Sequence, residues 1–487
     1  MSDLKRFFKH SSIYAIGNII NRLGAFLLLP VYTNYLSVAE YGTLELFYVT
    51  MSIVSGFLAV GMAHATLRFY FDHDEQKDRN ASISTNYIGS FFITLFGVLL
   101  ISIFTNDISK IVFEDDTLTT GVYLILFTLV FELSAQICLA YIRAIEYSVF
   151  FVIISFAKLI IQVSLNTYLV IYQEAGVIGV LFGNLITVFF GWLVLTYFTI
   201  SRCGFKFDLS KFIPVLKYCL PFLLATIMAI ISNNADKYIL SQLISFEALG
   251  LFALALKFSM IIEQLIGEPF SRSYGAFRYT IMDNENAAKI QSKIFRYLTI
   301  ISVFSALFVS LYAKDIIYLI SDKSYWQAAD LVPIIMISSL LKIINYPVQT
   351  GILYAKQTKY LFYIRSYAAV ISVSGNLLLI NIIGLYGACL SLILVDAFIL
   401  FLTHIYSQRY FYVKYDYWSL LLIIFIAICT FLPTLVIDFD SVLLNLLFKL
   451  ILLGGFSFSV YKAKILKDEE ITEIKLFLMQ KFQKSPI

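Results

Sequence analysis

Long apolar stretches recur along almost the whole chain and constrain its fold more than any other feature. Each is about 20 residues long, the length an α-helix needs to cross the hydrocarbon core of a bilayer. The stretches cover residues 11–36, 43–67, 83–105, 119–141, 149–172, 177–200, 216–241, 248–268, 293–313, 329–351, 363–383, 386–407, 417–436 and 443–461. Because lipid offers the backbone no hydrogen-bond partners, each stretch must be a helix. The sequence therefore predicts an all-α membrane protein with about 14 transmembrane helices.

The composition excludes a water-soluble protein. Hydrophobic residues make up 60% of the 487 residues and charged residues 14%, whereas soluble domains have about 45–50% and about 25%. The net charge of +4 is too small to predict nucleic-acid binding. The five cysteines form no CxxC pair, so we predict no disulfide framework and no metal site. P-loop, GxSxG and HExxH motifs are absent from the sequence, and we predict a transporter rather than an enzyme, with no cofactor.

The distribution of Lys and Arg predicts the topology. If the N-terminus is cytoplasmic and the stretches alternate in direction, 27 of these residues lie on the cytoplasmic side and three, Lys110, Lys314 and Lys323, lie outside. Such an excess is the positive-inside pattern of membrane proteins. We therefore predict a multi-pass membrane protein with both termini in the cytoplasm.

Three short motifs recur about 208 residues apart and predict an internal duplication. The pairs are Asp107-Ile108 with Asp315-Ile316, Gly176–Gly179 with Gly384–Gly387, and Glu40–Gly42 with Glu247–Gly250. Because six helices return the chain to its starting side, the copies would be parallel and related by an axis along the membrane normal. We predict two six-helix lobes, residues 1–205 and 206–410, and an appended helix pair in 411–487. Chance matching of short motifs is the alternative.

A cation in the first apolar stretch is the leading candidate for a binding residue. Arg22 lies near the middle of this stretch, and Asn18 and Asn21 share its helix face. A cation at mid-membrane costs roughly 2.5–3.5 kcal/mol, so it normally faces protein or a water-filled cavity. We expect Arg22 to face a central cavity and to bind an anion there.

Other polar residues at membrane depth extend the predicted site. The further cavity cations are Lys158, Lys237, Lys257 and Lys342, and the further cavity polar residues are Gln162, Asn233 and Asp236. Such a cationic pocket in an apolar bundle suits a phosphate or diphosphate. Lys237 has an alternative, because it could reach the membrane interface with Asp236 as its partner.

Two carboxylates and one further lysine complete the set of charges. Glu132 and Asp396 are candidates for coupling transport to protons or sodium ions, and a structural hydrogen bond explains either position equally well. Lys449 belongs to the appended helix pair, which we expect it to anchor.

The chain resembles the polysaccharide-repeat flippases, the O-antigen type, of the multidrug/oligosaccharidyl-lipid/polysaccharide exporter superfamily. The resemblance covers nearly the whole chain and is strongest in Asn18–Gly42 and in Pro221–Lys257, which holds an Asp-Lys pair and a Glu-x-x-Gly turn. Leu67–Asp72 and Ser324–Ile334 also match the family's pattern. The resemblance implies two six-helix lobes around a central cavity, two extra helices and alternating access.

The resemblance also implies a cargo. It would be an undecaprenyl-diphosphate-linked oligosaccharide, exported to the outer leaflet for O-antigen, capsule or exopolysaccharide synthesis. Arg22, Lys158 and Lys257 match the cationic cavity residues of the family. Membrane lipids, a polysaccharide polymerase and a chain-length regulator are the expected partners.

Two other functions stay open from the sequence alone. A cation-coupled multidrug antiporter of the same superfamily would favour an acidic pocket, so the predominance of cations disfavours it. A membrane-embedded glycan polymerase or ligase would need room outside the membrane, and the short outer loops disfavour it.

Overall fold

A computed structural model describes residues 13–465, apart from positions 15, 18, 21–23, 25, 60, 282, 283, 438 and 440. Every regular element in these residues is a helix, which confirms the predicted all-α class. Twelve of the described helical segments are long and apolar enough to cross a membrane, and the chain is a multi-pass membrane protein.

The twelve segments coincide with every predicted stretch except the first and the seventh. The first, 11–36, lies partly outside the described residues. The seventh, 216–241, lies within the long helix Leu209–Leu243, which is not among the twelve. The predicted count of fourteen is therefore not confirmed.

The described residues form two compact units. The first unit comprises Met1–Ala253, Ile320–Trp326 and Arg365–Ala388. Its helices are α1 (Leu29–Tyr35), α2 (Val38–Leu58), α3 (Met62–Phe71), α4 (Gln76–Ser102), α5 (Thr105–Phe113), α6 (Thr119–Ala144), α7 (Ser148–Thr167), α8 (Gly176–Cys203), α9 (Leu209–Leu243), the start of α10 (Phe246–Ile262) and, later in the chain, most of the helix Lys359–Ile383. Its core centres on α6, which is buried along most of its length and packs mainly against α4 and α8.

Helix α2 begins at a capping box that the sequence encodes. Ser37 Oγ accepts a hydrogen bond from Glu40 N at 3.2 Å, and Glu40 Oε2 accepts one from Ser37 N at 2.8 Å. The two side chains thus satisfy two amide groups at this end of the helix. The same Glu40 begins the motif that recurs near residue 247.

The second unit comprises Leu254–Leu319, Gln327–Ile364 and Cys389–Ile487. Its helices are the end of α10, α11 (Glu268–Ile281), α12 (Ala287–Ile320), α13 (Ala328–Val348), α14 (Thr350–Tyr354), the start of α15 (Lys359–Ile383), most of α16 (Leu385–Tyr410), α17 (Tyr417–Phe431) and α18 (Val442–Lys462). A π-helical turn, Glu263–Gly267, joins α10 to α11. Helices α10, α12, α15 and α16 have residues in both units, and the predicted lobes 1–205 and 206–410 stay a prediction.

A buried ion pair fastens the last helix to α12. Lys449 of α18 is 4% exposed, and its Nζ lies 2.5 Å from Asp315 Oδ2. Asn445, one turn earlier on α18, donates a hydrogen bond to Asp315 Oδ1 at 3.2 Å. Apolar residues of α12, α17 and α18, among them Leu307 and Phe456, form a shared core beside this pair. Lys449 therefore holds the position that we expected of an anchor for the appended helices.

Candidate functional site

A polar stripe runs along one face of α7 in the first unit. Lys158, Gln162 and Asn166 follow one another at intervals of four residues, so their side chains lie on one side of the helix. The charges of Lys158 and Glu132 of α6 interact with each other, and both residues are half-buried. A Cβ atom at Gly191 of α8 would come within 2.8 Å of Lys158 Cδ. The missing side chain at this glycine therefore leaves room for the lysine.

Asn184 of α8 joins the stripe to two tyrosines. Its Oδ1 accepts hydrogen bonds from Gln162 Nε2 at 3.1 Å and from Asn166 Nδ2 at 3.2 Å. Its Nδ2 donates to the hydroxyl of Tyr48 at 2.7 Å, and Asn166 Nδ2 also donates to the hydroxyl of Tyr32 at 2.6 Å. The buried Oδ1 of Asn166 has no hydrogen-bond partner among the described atoms. A buried acceptor without a donor costs free energy.

The structure thus brings together three residues that the sequence singled out: Glu132, Lys158 and Gln162. It adds residues that sequence reasoning missed, namely Tyr32, Tyr48, Asn166 and Asn184. One of these had a signal in the sequence, because Asn166 follows Gln162 by one helical turn and must share its face. The others needed knowledge of which helices lie beside α7.

An ion cluster lies in the second unit, around Lys342 of α13. The Nζ of Lys342 is 3.4 Å from Glu263 Oε1 and 3.9 Å from Asp396 Oδ2. Ser338, one turn before Lys342, donates a hydrogen bond of 2.5 Å to Asp396 Oδ2. Glu263 opens the π-helical turn between α10 and α11, and such turns are frequent at functional sites. Two carboxylates thus lie within 3.9 Å of one ammonium group, and neighbouring carboxylates favour the uptake of a proton or a small cation.

The cluster gives Lys342, a predicted cavity cation, an environment different from the expected one. Lys342 was expected to offer its charge to an anionic cargo, but two carboxylates face its ammonium group. Asp396, in contrast, lies in a setting that agrees with the predicted coupling to an ion. Both roles stay predictions.

Three residues of α9 were also assigned to the cavity. Asp236 is buried, and its Oδ1 accepts a hydrogen bond from the backbone N–H of Lys237 at 2.9 Å. Lys237 is half-buried and Asn233 is exposed. The three residues therefore differ in exposure, although their spacing places them near one face of the helix.

The remaining predicted residues carry less structural information. Asn18, Asn21 and Arg22 lie outside the described residues, so their role stays a prediction. Lys257 is half-buried in the part of α10 that belongs to the second unit. The described cavity lysines thus divide between the units, with Lys158 and Lys237 in the first and Lys257 and Lys342 in the second.

Comparison with known sequences identifies relatives of the chain. The family model of polysaccharide biosynthesis proteins matches residues 33–328. A protein of the Lsg locus of Haemophilus influenzae is 22% identical over 260 residues, which are 52% of this chain and 62% of that protein. The match therefore spans less than two thirds of the length of this relative.

Comparison with solved structures identifies the fold. The lipid II flippase MurJ, in an inward closed conformation, superposes with a TM-score of 0.75 at 15% identity, covering 93% of this chain and 99% of that one. A multidrug resistance MATE family transporter in an outward-facing conformation gives a TM-score of 0.55 at 15% identity, with 83% and 95% covered. These similarities establish the fold, and with the family match they confirm the resemblance to the exporter superfamily.

Proposed function

Because the chain belongs to the family of polysaccharide biosynthesis proteins, we propose that it transports a lipid-linked oligosaccharide across its membrane. The proposed cargo is an undecaprenyl-diphosphate-linked repeat unit, which moves from the inner to the outer leaflet of the bacterial cytoplasmic membrane. The exported unit would serve O-antigen, capsule or exopolysaccharide synthesis and would pass to a polymerase and its chain-length regulator. The shared fold with a protein named lipid II flippase supports this cargo class.

The polar stripe of the first unit carries the proposal. A diphosphate attracts cations and accepts hydrogen bonds, and sugar hydroxyls both donate and accept them. The stripe offers the ammonium of Lys158 at one end, and it offers amides and tyrosine hydroxyls around Asn184 at the other. We assign the diphosphate to Lys158 and the sugar hydroxyls to the amide of Asn184 and the hydroxyl of Tyr48. The polyprenyl chain needs no polar partner and stays in the hydrocarbon.

Glu132 allows the ammonium group of Lys158 to exchange one anionic partner for another. In the absence of cargo its carboxylate lies in the field of Lys158. A diphosphate would compete for the same ammonium, and protonation of Glu132 would release Lys158 to bind it. Cargo binding and proton uptake would then be linked thermodynamically at this pair. The carboxylates of Glu263 and Asp396, which both approach Lys342, support a second site, for a proton or a sodium ion.

Deletion of the gene in its host tests the proposed function. We expect the lipid-linked repeat unit to accumulate with its sugar on the cytoplasmic side and the surface polysaccharide to disappear. In spheroplasts of the deletion strain, periodate added outside would leave this sugar intact, whereas a strain that lacks only the polymerase would expose it to oxidation.

The same deletion separates the alternatives. If the protein were a polymerase or ligase, its deletion would leave single repeat units exposed on the outer leaflet. If the protein were a multidrug antiporter, its deletion would leave surface polysaccharide unchanged and make the cells more sensitive to cationic drugs. Either result would overturn the flippase proposal.

A further inference from the structure

Arg278 is buried near the C-terminal end of α11, in the second unit. The residue is 4% exposed, and its Nε and Nη1 have no hydrogen-bond partner among the described atoms. Its guanidinium lies 5.1 Å from the ring centre of Tyr274, one helical turn earlier. The ring face and the partly negative end of the helix offset some of the charge. Neither of them provides an acceptor in the plane of the guanidinium.

Such an arrangement is costly for a folded protein. Arginine stays protonated at any physiological pH, and buried donors of a charged group that lack hydrogen-bond partners cost free energy. We therefore expect an acceptor that comes from outside the described chain.

The neighbours of Arg278 already have hydrogen-bond partners of their own. The hydroxyl of Tyr274 donates to Gln291 Oε1 and lies 3.1 Å from Thr350 Oγ1. Gln291 Nε2 donates to the carbonyl of Pro347 at 2.7 Å. This network fixes the wall against which Arg278 packs, so the guanidinium is held in place.

The surrounding charge favours an anion. Residues 278–296 contain four Lys and Arg and two Asp and Glu, and such an excess attracts anions at a membrane surface. Arg278 lies three residues beyond the apolar segment Phe246–Gly275, at the end that the charge distribution predicts to be cytoplasmic. Lipid headgroups lie at the ends of membrane spans, and we infer this depth for Arg278.

We propose that Arg278 anchors a binding site for a phosphate-bearing anion at the cytoplasmic surface of the second unit. Its N–H donors match phosphate oxygens, which accept charge-assisted hydrogen bonds. Two sources share this chemistry, the headgroup of an anionic phospholipid and a free phosphate compound. The site does not involve the polar stripe of the first unit, and it does not depend on the proposed cargo.

Thermal unfolding of the full-length protein in nanodiscs tests the site. In one arm phosphatidylglycerol replaces phosphatidylcholine, and in the other inorganic pyrophosphate is added to phosphatidylcholine nanodiscs. The test variant is Arg278→Gln. The matched control is Arg272→Gln, which removes the same charge from the same helix at an exposed position paired with Glu268 at 3.2 Å.

We expect the anion to raise the Tm of the wild type and of the control equally, because a ligand of the folded state stabilises it. In Arg278→Gln we expect this gain to be lost, with apparent affinity lowered about tenfold or more, the loss typical of a charged hydrogen bond. A rise in Tm with phosphatidylglycerol alone identifies the lipid headgroup as the ligand. A rise in Tm with pyrophosphate identifies a free phosphate compound as the ligand.

Two results would overturn the proposal. One is an equal response of the wild type and Arg278→Gln in both arms. The other is a loss of stability in Arg278→Gln that is the same in every lipid and with or without pyrophosphate, since that would show packing alone. Should Arg278→Gln fail to fold, Arg278→Lys keeps the charge but not the planar donors; we expect it to respond more weakly than the wild type, and an equal response would also contradict the proposal.

Discussion

Gly42 and Gly250 lie back to back where α2 and α10 cross. Each is the fifth residue of its helix, and the contact is reciprocal. A Cβ atom at Gly42 would collide with the backbone carbonyl of Phe246, the first residue of α10, and one at Gly250 would collide with that of Val38, the first residue of α2. The two Cβ atoms would also lie 3.0 Å from Gly250 N and 3.2 Å from Gly42 N, respectively. Two copies of a recurring sequence motif thus meet in the first unit, and the internal duplication stays a prediction.

Substitution of Gly42 by alanine should separate the two helices. Because the opposing atoms are backbone, no side chain can turn away to make room, and overpacking of this kind costs about 1–3 kcal/mol or more. We expect Gly42→Ala to lower the Tm of the purified protein and the yield of monodisperse material. Gly454→Ala is the control, since a Cβ atom there has nothing within 4 Å. Equal stability of the two variants would contradict the close approach of the helices.

The periodicity of apolar and polar residues accounts for much of what was predicted correctly. It located twelve spans that the structure also has, and it placed Lys158 and Gln162 on one helix face. It could not tell which helix lies opposite that face, because periodicity describes one helix at a time. The sequence therefore did not predict Asn184 as a site residue. It also did not predict that the two carboxylates lie beside Lys342.

The pair of Lys158 and Glu132 should behave asymmetrically on mutation. Lys158→Gln removes the cation proposed to bind the diphosphate, so we expect export of the repeat unit to fall about tenfold or more. Glu132→Gln leaves the lysine free, so we expect export to continue but to lose its dependence on the proton gradient. Export is measured as the surface polysaccharide formed per unit of transporter in the membrane.

Lys206→Gln provides the control for this pair. It removes one positive charge from the same unit at an exposed position, and its export should equal that of the wild type. Export by Lys158→Gln at the level of this control would refute the assigned role of Lys158.

The charge of the ion cluster in the second unit should determine how the protein's stability responds to pH and to sodium. We expect lower pH or sodium to stabilise the wild type, and we expect Asp396→Asn, in which Lys342 keeps only Glu263, to lose this stabilisation. Lys342→Gln leaves two carboxylates without their ammonium, so we expect a larger response than in the wild type. Thermal unfolding in sodium and in choline chloride, over a series of pH values, measures both effects. If Asp396→Asn and the wild type respond alike, the cluster is not the coupling site.

The ion pair between Lys449 and Asp315 should be needed for the attachment of the last two helices. Lys449→Met leaves Asp315 with Asn445 alone, and breaking a buried pair on one side costs on the order of 3 kcal/mol. We expect a somewhat smaller loss of stability here, because the side chain of Asp315 is 27% exposed and water screens its charge. The double variant Lys449→Met with Asp315→Leu should recover much of the loss, since no unpaired charge remains.

Hydrogen exchange across α17 and α18, combined with thermal unfolding, measures this attachment. The matched control is Lys462→Met, at the exposed end of the same helix, which should exchange as the wild type does. In Lys449→Met we expect faster exchange in α17 and α18 than in the helices of the first unit, because the apolar core shared with α12 then acts without its ionic contact. Exchange and Tm equal to those of Lys462→Met would mean that apolar packing alone holds the helices, and the ion pair would then have no part in anchoring them.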